Sequence, residues 1–200
     1  MNRETFKKLV FASANKHKAE EIQSALKGAA HIYLPSDLGH EFSVEETGQS
    51  LRENAALKAE AAWNLTGLPS FADDTGLFCD ALDGAPGVHA ARFAAMAHYP
   101  GSNNDLLLKR LKDVQVRSAR FESVFCFRWD EGMVFFTGIL EGRIAGVADG
   151  VGGFGYDPVF IPQGFQQTLA ALPMHVKLGI SHRTQALRAM QAWMEAIQSL

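Results

Sequence analysis

The strongest constraint on this chain's fold is a short apolar run followed by helical sequence and then a second short run. Leu9 to Ala12 is the centre of a strand-like stretch, Lys8 to Ser13. Helical sequence follows from about Lys16 to Lys27, with Ile22, Ala25 and Leu26 on one side. A second β-like run, His31 to Leu34, is stopped by Pro35. Brief apolar runs bounded by turn signals mark strands, and strand–helix–strand order predicts an α/β protein. The next helix has a start signal: Ser50 and Glu53 have capping-box spacing, so each can satisfy a free amide of the first turn. Ala-rich sequence carries it to Leu65, and Gly67 with Pro69 stops it. Ser70 to Asp73 then reads as a brief apolar strand ending in acids.

Beyond that point the pattern changes. Asp83 to Gly101 is loop-rich, and Asn103 to Leu111 is helical. Arg120 to Trp129, the turn Asp130-Glu131-Gly132, and Met133 to Leu140 form a long hairpin. Gly150 to Pro162 is glycine-rich and then extended, and Ser181 to Leu200 is a closing amphipathic helix with Ser181 as N-cap. Early alternation with a later hairpin predicts α/β with a mixed sheet. The 200 residues fit one domain, spanning 1–200 with no independent linker. Hydrophobic residues at 47% and charged residues at 20% are ordinary for a globular chain, which argues against disorder. No apolar stretch approaches the roughly 18 residues of a membrane span, and Leu9 to Ala12 is too short for a signal-peptide core. Cys79 and Cys126 are too few for a disulfide framework, so a reducing, cytoplasmic setting is expected.

Charge is unevenly spread. Residues 1 to 18 hold five bases, Arg3, Lys7, Lys8, Lys16 and Lys18, against Glu4. Residues 41 to 83 hold nine acids against Arg52 and Lys58, and residues 158 to 200 hold Lys177, Arg183 and Arg188 against Glu195. An acidic block between basic ends suits a metal-binding wall facing an anion-binding wall, or else a solvated acidic helix face. The net charge of −3 excludes nucleic-acid binding through general basicity.

Five constellations can carry chemistry. Ser13-Ala14-Asn15-Lys16-His17-Lys18 lies at a helix start, where free amides attract anions and basic side chains oppose the dipole unless an anion sits among them. It is not a Walker A loop. Asp73-Asp74-Thr75 follows an apolar strand, at the strand end where open α/β sheets bind ligands. Adjacent strand residues point to opposite faces, so one acid of the pair faces the ligand. Carboxylates here suit Mg²⁺, which takes one or two of them plus waters and phosphates. Glu45-Glu46-Thr47-Gly48 precedes Glu53, Asn54 and Lys58, the last two sharing a helix face. Gly150 to Pro158 formally contains Gly-x-Gly-x-x-Gly, but Pro158 and an extended segment follow rather than a helix, which excludes the dinucleotide-binding reading. Its glycines allow close approach to a flat ligand, and Phe154 or Tyr156 can stack on a base. Lys177 with Ser181-His182-Arg183 is the fifth, where the arginine fork suits a phosphate or a carbonyl-bearing base. Zinc spacing and a Gly-x-Ser-x-Gly elbow are both missing.

This ordered set, from Phe11 to Ala189, resembles the inosine/xanthosine triphosphate pyrophosphatases, the house-cleaning enzymes for deaminated purine nucleotides. Its most specific parts are Ser13-x-Asn15-x-x-Lys18, Glu45 to Gly48, Glu53-Asn54-Ala55 with Lys58-Ala59, and Asp73 to Leu77. Gly84 to Val88 with Arg92, Gly152 to Pro158, and Ile180 to Arg183 complete it. The resemblance implies hydrolysis of a nucleoside triphosphate to monophosphate and pyrophosphate with Mg²⁺, and Asp74 as general base and metal-site residue. It implies metal ligation by Glu45 or Glu46, with Asp73 alongside. Phosphate contacts are implied for Ser13, Asn15, Lys18 and Lys177, with Ala14, Lys16, His17 and Thr75 also binding substrate. A base pocket of Phe154, Gly155, Tyr156, Asp157, His182 and Arg183 is implied, while Glu53, Asn54 and Lys58 support the acidic residues. It also implies an elongated α/β fold with a mixed central sheet, two lobes flanking a cleft, and a homodimer. The chain departs from the family at Ala14, where glycine is usual, at Leu51, and around Lys177, which lacks the usual flanking acid and asparagine. The rival readings are a Maf-like pyrophosphatase for modified pyrimidine nucleotides and a nucleotide-binding sensor without catalysis.

Overall fold

A computed structural model describes residues 8–26 and 31–198. Lys27, Leu200 and the terminal charges Arg3, Glu4 and Lys7 lie outside the described residues. The elements are β1 (Lys8–Phe11), α1 (Lys16–Leu26), β2 (His31–Tyr33), α2 (Leu51–Thr66), β3 (Ser70–Cys79), β4 (Pro86–Gly87), α3 (Phe93–Met96), α4 (Asn103–Arg110), β5 (Ser118–Trp129), β6 (Gly132–Ile144), β7 (Phe160–Pro162), α5 (Met174–Ile180) and α6 (His182–Gln198). The strands hydrogen-bond in the order β2-β1-β3-β5-β6-β7, with β4 beside β3. β1 runs parallel to β2 and β3, while β4 is antiparallel to β3 and β7 antiparallel to β6, so the sheet is mixed.

The chain forms two compact units, one of residues 1–74, 123–138 and 183–200, the other of 75–122 and 139–182. In the first unit, α1 buries Ile22 and Leu26, and α6 buries Ala186, Leu187, Met190 and Met194, with Leu9, Phe11, Phe71, Phe125 and Phe127. A second cluster joins Ala55, Ala59 and Ala62 of α2 to Val10, Ala12, Ala72 and Cys126. Alanine at successive inward positions lets the helix lie close to the strands. In the second unit, Leu107 and Leu111 pack with Leu77, Phe121, Ile144 and Phe160.

α2 begins where expected, with Ser50 Oγ accepting from Glu53 N–H at 3.2 Å. The box is modified, since the Glu53 carboxylate accepts from Gln49 N–H rather than from Ser50. Gly67 ends the helix at φ 66°, donating to the Trp63 carbonyl. Three differences from the sequence reading matter. β3 does not end at Asp73 but continues to Cys79, so the acid pair lies within the strand. The loop-rich 83–101 stretch contains β4 and α3. An unforeseen α5 precedes α6, and Ser181 closes it by donating its N–H to the Lys177 carbonyl. Among the described residues no helix is long and apolar enough to cross a membrane.

Candidate active site

The alternation of β3 divides the acid pair. Phe71 packs with α1 and α6, and Ala72 packs with α2. Side chains two apart share a face, so Asp73 follows Phe71 and Asp74 follows Ala72. Asp73 is fully enclosed: Lys18 Nζ of α1 lies 3.0 and 2.9 Å from its two oxygens, and Arg183 Nε of α6 lies 3.3 Å from Oδ2. The Arg183 guanidinium also pairs with Glu21, a buried acid one turn beyond Lys18 on α1. Burial alone would raise the Asp73 carboxyl, but Lys18, Arg183 and Lys58 outweigh it and hold it well below the usual carboxylate range.

On the other face, Lys58 Nζ lies 2.9 Å from Asp74 Oδ1 and 2.8 Å from Glu46 Oε1. Asn54, wholly buried, donates to Asp74 Oδ2 at 3.2 Å and accepts from Gly48 N–H at 2.9 Å. The Gly48 amide needs an acceptor, which fixes the Asn54 amide with its NH₂ on Asp74. Burial raises the Asp74 carboxyl against the pull of Lys58. Lys58 is raised, because Asp74, Asp73 and Glu46 outweigh its own burial. Asp74 is thus a carboxyl raised by burial beside a lysine raised by its acidic neighbours. Glu46 turns toward Lys58 while Glu45 is exposed, and Glu53 is occupied by Gln49.

At the start of α1, Asn15 Oδ1 accepts from Lys18 N–H at 3.2 Å and Ser13 Oγ accepts from Asn15 N–H at 3.0 Å. Both side chains shape the turn that presents the helix. Ala14, Lys16 and His17 are exposed, with the His17 imidazole 3.7 Å from Glu20. Outside glycine, positive φ occurs among the described residues only at Asp83 and His98, so alanine at position 14 is unstrained.

In the second unit, Asp157 Oδ2 accepts from Lys177 Nζ at 2.7 Å and from Phe154 N–H at 2.8 Å. The Lys177 ammonium stands 5.1 Å from the Phe154 ring centroid. Gly153 has φ 71°, and a Cβ there would fall on the Asp157 carboxylate. Thr75, next along β3, is half-buried, and Gly155 adopts φ 61°. Tyr156 is a core residue whose hydroxyl donates to the Ala90 carbonyl at 2.8 Å, leaving Phe154 as the ring on this loop with a half-exposed face. His182 is buried and stacked on Phe121 at 4.7 Å.

Asp73, Lys177 and Arg183 each have partners within the protein. Asp73 is not gathered with Asp74 and Glu46, because strand alternation turns it to the cationic side. Lys177, expected among the phosphate contacts, is buried against Asp157. Arg183, expected at the base, is buried between Glu21 and Asp73. Glu21 was missed, although its spacing from Lys18 on one helix face was the available signal.

Among the described residues no group of three or more His, Cys, Asp or Glu is arranged to hold a metal ion. Asp74 Oδ1 and Glu46 Oε1 nonetheless converge on one cationic point, the Lys58 ammonium. Two carboxylates on one point fit a small hard cation that completes its shell with water and phosphate.

Two carboxylates, Asp74 and Glu46, thus meet at one lysine beside a strand of a mixed α/β sheet. The chain belongs to the Ham1 family, whose model matches residues 9–193. Similar proteins include the dITP/XTP pyrophosphatases of Flavobacterium psychrophilum, 43% identical over 91% of this chain and 96% of that one, and of Porphyromonas gingivalis, 45% identical over 90% and 93%. The solved Ham1 protein of Staphylococcus aureus superposes with a TM-score of 0.84 at 36% identity, covering 95% of this chain and 99% of that one.

Proposed function

We propose that this protein hydrolyses deaminated purine nucleoside triphosphates, dITP, ITP and XTP, to the monophosphate and pyrophosphate. Support comes from relatives named dITP/XTP pyrophosphatase that match nine-tenths of the chain. The observation that carries the chemistry is the Asp74–Lys58–Glu46 group, with Asp74 buried and Asn54 behind it. In this reading Asp74 takes the proton of the water that attacks the α-phosphorus. Its raised carboxyl suits that task, since a base works best near the operating pH. Asn54 fixes the plane of the carboxylate, and Lys58 holds Asp74 and Glu46 together before substrate arrives. Asp74 and Glu46 would hold Mg²⁺, which supplies Lewis-acid polarisation of the phosphoryl oxygens when bound. Lys18, tied to Asp73, and the helix start at Ser13 to His17 serve the phosphates. Phe154, kept in place by Asp157 and Lys177, serves the base, and discrimination comes from groups left unpaired when adenine replaces a 6-keto purine.

The test is pyrophosphate release from inosine and xanthosine triphosphates, ATP, GTP, UTP, CTP and methylated pyrimidine triphosphates, with and without Mg²⁺. Metal-dependent release from the inosine and xanthosine substrates is expected. Preference for modified pyrimidine nucleotides, or tight binding without release, would overturn this reading. We further infer a cytoplasmic homodimer from the family resemblance, which sedimentation of the purified protein tests.

A further inference from the structure

Besides the backbone turn in which Asp157 N–H donates to the Phe154 carbonyl at 3.2 Å, three side-chain hydrogen bonds hold the Phe154 loop. Asp157 accepts from Phe154 N–H, the Tyr156 hydroxyl donates to the Ala90 carbonyl, and Asn104 Nδ2 donates to the Gly155 carbonyl at 3.0 Å. The first two tie the loop to its own next residues and to the core. The third ties it to the first turn of α4. That turn is itself fixed, because Ser102 and Asp105 form a reciprocal capping box. The neighbouring Asn103 binds Ala90, Ala91 and Ala94 through its amide. Asn104 makes one side-chain hydrogen bond among the described residues, the one to Gly155, and its Oδ1 meets no donor. Its amide therefore does a single task. Gly155 sits at φ 61° with nothing within 4 Å of a Cβ position, and among the described residues Asn104 is the side chain that bonds its carbonyl.

We infer that Asn104 is a positioning residue: by bonding the Gly155 carbonyl it sets the Phe154 ring for the base of the incoming nucleotide. The inference rests on the reading that Phe154 receives the base. It assigns Asn104 to substrate affinity, apart from the proton transfer at Asp74.

The position allows a test that separates this role from a structural one. Asn104 is the second residue of α4, where a carboxylate is favourable toward the helix dipole. Asn104→Asp therefore keeps or improves the helix, while it removes the donor and faces the Gly155 carbonyl with an anion. Steady-state pyrophosphate release from inosine triphosphate is measured for wild type, Asn104→Asp, Asn104→Gln and Phe154→Ala, alongside thermal melting. For Asn104→Asp we expect melting at or above wild type, KM raised about 3–10-fold and kcat within about twofold, from loss of one hydrogen bond. Asn104→Gln, which keeps an amide donor, should recover most of the KM. An unchanged KM in Asn104→Asp, with KM raised in Phe154→Ala, overturns the inference and leaves the base-loop reading standing. An unchanged KM in Phe154→Ala overturns that reading and the inference with it. A lowered melting point with kcat and KM falling together means a structural role, which also overturns it.

Discussion

Asp73 and Asp74 are adjacent in sequence and opposite in electrostatics. Asp73 lies among cations and is held ionised. Asp74 is balanced between burial and one lysine and is raised. On the proposed function, proton transfer falls to Asp74, and Asp73 holds Lys18 and Arg183 in place. Asp74→Asn should lower kcat by about 10²–10⁴-fold, the usual worth of a general base, while circular dichroism and melting stay near wild type. A folded variant with wild-type turnover would remove Asp74 from that role. For Asp73 the consequence is stability. Its folded pKa lies below the ordinary 3.8, so its pairing stabilises the fold above that value, and the contribution is lost as pH falls toward the folded pKa. Asp73→Asn should therefore be less stable than wild type near neutrality, with the gap narrowing in acid. Urea midpoints of both proteins between about pH 6 and pH 3 check the sign, and a gap that widens in acid would contradict it.

At the scale of elements, the site depends on how a loop meets a helix. Gly48 stands where α2 turns its Asn54–Lys58 face toward β3. A Cβ there would lie 2.6 Å from Asn54 Oδ1 and 2.7 Å from Glu53 Cβ, with the Asn54 backbone nitrogen 3.0 Å away. The loop must then move off Asn54, which loses the donor that fixes its amide. Gly48→Ala should reduce kcat about tenfold through misorientation of Asp74. Its cost in stability should stay near the 1–3 kcal/mol of local overpacking. Rate and urea titration together check this, and an unchanged kcat would show that Asn54 holds Asp74 without the loop. Much of this was legible in the sequence. The Ser50 cap, the Gly67 stop and the Asn54–Lys58 spacing placed α2 and its polar face, because local chemistry fixes helix ends. The length of β3 was not legible. Asp73-Asp74-Thr75-Gly76 reads as a turn until distant partners are known, and it is Lys18, Lys58 and Arg183 that make two acids tolerable inside a strand. Arg183 and Glu21 are 162 positions apart in sequence, so their pairing had no local signal.

For the whole molecule, the acidic block and the basic ends neutralise each other in part, as where Lys18 pairs with Asp73. Lys58 gathers the acids Asp74 and Glu46 within the block, and Lys177 at the far end is neutralised by Asp157. Charge counted along the chain therefore overstates the cation available to a phosphate, so binding strength must come largely from oriented groups rather than net field. Selectivity should then be visible in binding to the intact protein, without turnover. Asp74→Asn permits this, because inosine triphosphate can be held as a ligand. At a concentration 100 times Kd, mass action adds about 2.7 kcal/mol to the folded state. For a chain of this size that is roughly 5–10 °C in Tm. Inosine triphosphate should shift the Tm of Asp74→Asn well beyond ATP at equal concentration, in the presence of Mg²⁺. Equal shifts would mean that the base is not read in the bound state and that discrimination arises only in the transition state.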